Sequence, residues 1–203
     1  MSNAYSELVA RISGGEALTR DEAQSLLSTE DGQDFALIEA ASALRRQEFR
    51  NVIAIHTEDE ELAEALGTRS ISIDSYEILD ISQDIDSHEL ADRMVALGAG
   101  KSTGITVKLP QQAVPMTLMR ILSVLRLAAP DKVIHLPEGY EESLRSLASL
   151  AMHIVSAITI TDDIERWPLV NETLKALRHG GIVIAGSGSR DALAGYLAYL
   201  SEL

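Results

Sequence analysis

The pattern of apolar and polar positions changes period near residue 51 of this 203-residue chain. Before that point the apolar residues recur at helical spacing. Tyr5 to Ile12 makes a short amphipathic stretch, closed by Ser13-Gly14-Gly15. In LTRDEAQSLL, Thr19 stands as an N-cap with Glu22 three residues later, the reciprocal arrangement of a capping box. From Asp34 to Phe49 the apolar positions Phe35, Ile38, Ala41 and Leu44 keep to a helical interval. Residues 1–50 are therefore expected to form a helical N-terminal extension.

At Asn51 the run NVIAIH begins, short, continuous and rich in β-branched residues, the signature of a strand covered on both faces. Runs of this kind then alternate with helical patterns. Candidate strands cover 51–56, 70–73 or 78–81, 104–109, 132–136, 156–161 and 181–186. Candidate helices cover 59–66, 87–98, 115–128, 140–152, 168–178 and 190–201. Pro115 suits the first turn of its helix and Pro130 stops it, while Gly180-Gly181 ends the helix at 168–178. The stretch 76–86, YEILDISQDID, fits a strand, an edge hairpin or a loop. Strand then helix, repeated about six times, predicts an α/β domain over 51–203. Its sheet would be mostly parallel, either a partial TIM-like barrel or an open, doubly wound sheet.

Composition narrows the chemistry. Apolar residues make up 46% of the chain and aromatics 4%, so the core is aliphatic. With 17 basic and 31 acidic residues the formal charge is −14, a field that repels a phosphate backbone or an anionic membrane surface. Nucleic acid and membrane are thus unexpected partners. No apolar run approaches the ~18–20 residues that span a bilayer, and the first residues lack a signal pattern. A soluble cytoplasmic protein is expected. The sequence contains no cysteine, which excludes disulfides, thiolate metal sites and a cysteine nucleophile.

A family resemblance lies in PMTLMRILSVLRLAAPDKVIHLPEGYEESLRSLASLAMHIVSAITITDD and in the preceding ELADRMVALGAGKSTGITVKLP. These segments resemble the closing strand–helix units of biotin synthase and its radical S-adenosylmethionine relatives. ALTRDEAQSLL and LIEAASALRRQEFRN resemble the helical N-terminal extension of the same family. Together the two zones cover about two-thirds of the chain. The family binds its iron–sulfur cluster through CxxxCxxC after the first strand, where this chain reads NVIAIHTEDEELAEALGTRS. The chain is also far shorter than eight strand–helix units require. The resemblance therefore implies a scaffold without its chemical centre: no iron–sulfur cluster, S-adenosylmethionine not expected, and no catalytic residue to carry over. It suggests a non-radical accessory or small-ligand-binding protein in cofactor biosynthesis. Two other readings are an enzyme acting on an anionic substrate at the strand ends, and a structural partner subunit.

Three places could bind a ligand. In GIVIAGSGSRDALAGYL, Gly186-Ser187-Gly188-Ser189 leads from a strand into a helix near Arg190, where backbone N–H groups can hold a phosphate or carboxylate. It lacks the third glycine of a dinucleotide fingerprint and the Walker lysine, and it also fits a plain tight turn with Ser189 as N-cap. His56 ends the first strand before the carboxylate-rich TEDEELAE, a pattern that suits acid–base or metal chemistry and equally a solvated helix start. Asp162, after the fifth strand, would share a rim with His56, Lys108, His135 and Glu138 in a barrel-like sheet. Strand ends are often polar simply because they meet water. A partial barrel leaves two sheet edges, and LMRILSVLRLAA is charged only at Arg120 and Arg126. Such wide apolar faces predict contact on more than one side, hence a homodimer or a complex with a larger partner.

Overall fold

Three helices come first in the computed structural model, which describes residues 3–29, 32–81, 86–188 and 191–201. They are α1 (Asn3–Ser13), α2 (Arg20–Leu27) and α3 (Asp34–Phe49). The predicted capping box starts α2: the Glu22 N–H donates to the Thr19 hydroxyl, and the Thr19 N–H donates to the Glu22 carboxylate. Strands and helices then alternate: β1 (Val52–His56), α4 (Glu60–Ala65), β2 (Glu77–Asp80), α5 (Ser87–Ala99), β3 (Gly104–Lys108), α6 (Pro115–Ala128), β4 (Val133–Leu136). After β4 come α7 (Tyr140–Leu144), α8 (Ala148–Ala151), β5 (Ala157–Thr159), α9 (Trp167–His179), β6 (Val183–Ile184) and α10 (Ala192–Leu200). No helix among the described residues is long and apolar enough to cross a membrane.

All strand pairs are parallel, in the order β2-β3-β4-β5-β1-β6. The sheet is open, not a closed barrel, and β1 sits between the last two strands of the sequence. Partners in a parallel register point their side chains to the same face. One face carries Leu79, Ile105, Val107, Ile134, Leu136, Ile158, Ile53, Ile55 and Ile184, all buried in one core with Met94 of α5, Leu122 of α6 and Leu174 of α9. The opposite face carries the row Ile78, Thr106, His135, Ala157 and Ala54. β1 thus alternates between buried and accessible positions, which corrects the expectation that both its faces are covered.

The apolar breadth of α6 is satisfied within the chain. It is buried at Leu118, Met119 and every position from 121 to 127, and it packs against α3, α2 and α5. Arg120 donates to Asp34 of α3 at 2.6 Å. Arg126 is fully buried and donates to the carbonyls of Ile154 and Lys132 and to the Ser156 hydroxyl. Arg45 likewise donates to Val155, Arg50 and Val52 carbonyls. These cations satisfy backbone acceptors around the N-terminal ends of β1, β4 and β5, where a sheet of this kind needs stability.

Other boundaries differ from expectation. The second strand is 77–80, and residues 70–73 instead cross beside β1, with the Ile71 N–H donating to the Ile55 carbonyl. The helix expected over 140–152 breaks at Arg145, where φ is +51°, and continues as a 3-10 turn and α8. Helix α10 begins at Ala192 with Asp191 as N-cap. Residues 82–85, part of the ambiguous 76–86 stretch, and Ser189 lie outside the described residues. The edge strand β6 is only two residues long, and both the N–H and the hydroxyl of Ser187 donate to the Ile184 carbonyl at its free side. The other edge, β2, carries Glu77 and Asp80, charges that oppose pairing with a foreign strand.

Candidate functional site

The face of the sheet turned away from the core is lined by short and polar side chains because β1, β3 and β5 alternate. Ile and Val point into the core, and Gly104, Thr106, Lys108, Ala54, His56, Ala157 and Thr159 point the other way. Two histidines meet there: the rings of His56 and His135 are edge to face, 5.9 Å between centroids.

His135 is fully buried in β4 and bonded at both nitrogens, Nδ1 to Thr106 Oγ1 at 3.1 Å and Nε2 to Thr159 Oγ1 at 2.9 Å. A neutral imidazole has one donor and one acceptor, so one threonine hydroxyl donates to the ring and the other accepts from it. Burial, reinforced by His56 nearby, lowers its pKa to about 4, and the ring is neutral at pH 7. His56, half-buried at the end of β1, is bonded through Nδ1 to the Ile71 carbonyl at 2.8 Å. A carbonyl only accepts, so Nδ1 carries a proton, and Nε2 has no hydrogen-bond partner among the described residues.

Segment 68–76 is drawn across this face. Ser70 Oγ donates to the Thr57 carbonyl and accepts from the Thr57 N–H. Tyr76 lays its ring over Gly104, and its centroid is 6.5 Å from that of His135. Beyond Tyr76, the exposed Ile78, Val52 and Val183 show that the cover is partial.

The other predicted residues are distributed differently. Lys108 and Glu138 line one pocket at the ends of β3 and β4, apart from the histidines. Glu138 accepts from Arg166 at 2.6 Å. Asp162 is exposed beside α10, where its charge helps to raise the Tyr196 pKa to about 12, chiefly a burial effect. Gly186 and Gly188 both adopt left-handed φ, as a tight turn demands. Ser187 is turned inward, and the start of α10 is occupied by the Asp191 carboxylate, which accepts from Ala194 N–H and pairs with Arg178. Among the described residues no cluster of three or more His, Asp or Glu is placed to hold a metal. Thr106, Thr159 and Tyr76 are the site residues that sequence reasoning missed. For Thr106 and Thr159 the signal was the period-two alternation in GITVK and AIT, which separates a branched aliphatic face from a small, polar one, whereas no local pattern announces Tyr76.

Sequence comparison gives this scaffold a partial relative. Over 88 residues the chain is 35% identical to a biotin synthase from Kocuria rhizophila, a match covering 41% of this chain and 19% of that protein. No family model matches the sequence. The chain is thus similar to biotin synthase across less than half of its own length, and the match spans about a fifth of that enzyme.

Proposed function

We propose that this chain is a non-radical accessory or small-ligand-binding protein on a biotin synthase-like scaffold, acting in cofactor biosynthesis. The partly covered sheet face carries the reading: around the internally bonded Thr106–His135–Thr159 row, His56 Nε2 and the Tyr76 hydroxyl have no partner among the described residues and can hydrogen-bond a polar molecule. The partial match to biotin synthase supports the pathway, and the cysteine-free sequence supports a role without a cluster. Titration of the isotope-labelled protein with biotin, read on the imidazole nitrogens, is the test. Saturable movement of the His56 and His135 signals is expected. Unmoved signals at millimolar biotin, with no biotin synthase retained by the tagged chain from its host, would overturn the proposal.

A second reading concerns assembly. Ile78, Val52 and Val183 are exposed on this same face. A homodimer, or a complex with a larger partner, would cover them and bury at least ~1,000 Å² in total.

A further inference from the structure

Between the C-terminal ends of β3 and β4 and the first turn of α7 lies a cavity of about 310 Å3. In parallel α/β sheets, ligands collect outside the carboxyl ends of the strands. Neither His56 nor His135 lines this cavity. Its polar lining includes Lys108, Gln111, Glu138 and Ser143.

The four groups are not equivalent. Glu138 is turned to Arg166 at 2.6 Å, a cation it shares with Glu142 at 2.9 Å. Lys108, the exposed last residue of β3, has no carboxylate partner among the described residues. Ser143 is 2% exposed, yet its hydroxyl has no hydrogen-bond partner among the described residues and lines the cavity. Open to the cavity and unpaired among the described residues, this hydroxyl is free to donate to a ligand there. The ammonium of Lys108, the Ser143 hydroxyl and the Gln111 amide offer one positive charge and neutral donors. That set matches a single carboxylate, an acceptor-only group. Leu109 and Tyr140 supply an apolar wall beside it, and the volume is at the small end for ligand pockets.

We propose that this pocket binds the carboxylate of a small aliphatic acid, with Lys108 as counter-ion and Ser143 Oγ as donor. The site stands independently of the histidine face. The test uses the full chain with hexanoate and its neutral counterpart hexanamide, followed by backbone amide shifts. Hexanoate moves the amides of 108–111 and 139–143 saturably and leaves the His56 and His135 rings unmoved. Hexanamide binds about tenfold more weakly, the effect of losing one charge contact. Lys108→Met abolishes that preference, so both compounds bind alike. Ser143→Ala, which keeps a good helix former in α7, weakens both by at least about threefold. Amide spectra establish that each variant is folded, and Lys108→Gln repeats the charge test. Shifts scattered outside the pocket, no saturation, or a carboxylate preference that survives both lysine substitutions would overturn the proposal.

Discussion

The ring of Tyr76 lies where a side chain at position 104 would stand. A Cβ built on Gly104 comes within 2.5 Å of Tyr76 Cζ and 2.6 Å of two ring carbons beside it. The aromatic ring can lie on the sheet only because that position is empty. Gly104→Ala is therefore expected to lift Tyr76 off the sheet and loosen segment 70–76. The cost is about 1–3 kcal/mol, as for other overpacked sites. Urea denaturation measures the loss, and amide exchange in 70–76 should accelerate selectively. Unchanged exchange there would show that Tyr76 does not fasten the segment.

His135 makes stability depend on pH in a definite direction. Its pKa is about 4 in the folded protein, against 6.5 for a free imidazole, because burial and His56 disfavour the charged ring. Between those values the unfolded chain binds more protons, so stability falls as pH drops from 6.5 toward 4. The full effect is roughly 3 kcal/mol. Urea midpoints at pH 7.5 and 4.5 should therefore fall further for the native chain than for His135→Gln, which retains hydrogen-bonding capacity toward the threonines. Equal losses would mean that the ring is not held neutral.

The absence of cysteine predicts that anaerobic reconstitution with iron and sulfide leaves the protein colourless after desalting. A stoichiometric brown cluster that survives desalting would require a different ligand set.

Light scattering at micromolar concentration is expected to give a mass above the 22.0 kDa of one chain, or the tagged chain to retain a partner from its host. A clean monomer with nothing retained would remove the assembly reading. The apolar breadth of α6 does not itself argue for assembly, because α3 of the same chain covers it. The exposed Ile78, Val52 and Val183 do.

The sequence predicted local elements well where caps and prolines mark them, as at Thr19 and Pro115. It missed the break at Arg145, where no glycine or proline announces a positive φ. Arg120 and Arg126 signalled contact on two sides of α6, but only the fold shows that the second side meets residues 34–49. His56 and His135 were legible as residue types at strand ends. Their meeting depends on register, since β1 lies beside β5 and only one strand separates it from β4. No local pattern encodes that placement. The rim expected to join His56, Lys108, His135, Glu138 and Asp162 is divided in the fold: Lys108 and Glu138 line one pocket, where Arg166, distant in sequence, pairs with the glutamate, and the histidines meet elsewhere.

The insertion of β1 between β5 and β6 also orders events during synthesis. Ala54 pairs with Ala157, and Ile53 with Ile184, so of the six described strands the earliest in the chain is the one whose neighbours arrive last. β2, β3 and β4 can pair in turn as they emerge, while β1, with Ile53 and Ile55, waits without a hydrogen-bonding partner. Such long-range pairing slows folding and leaves an apolar strand open to wrong associations.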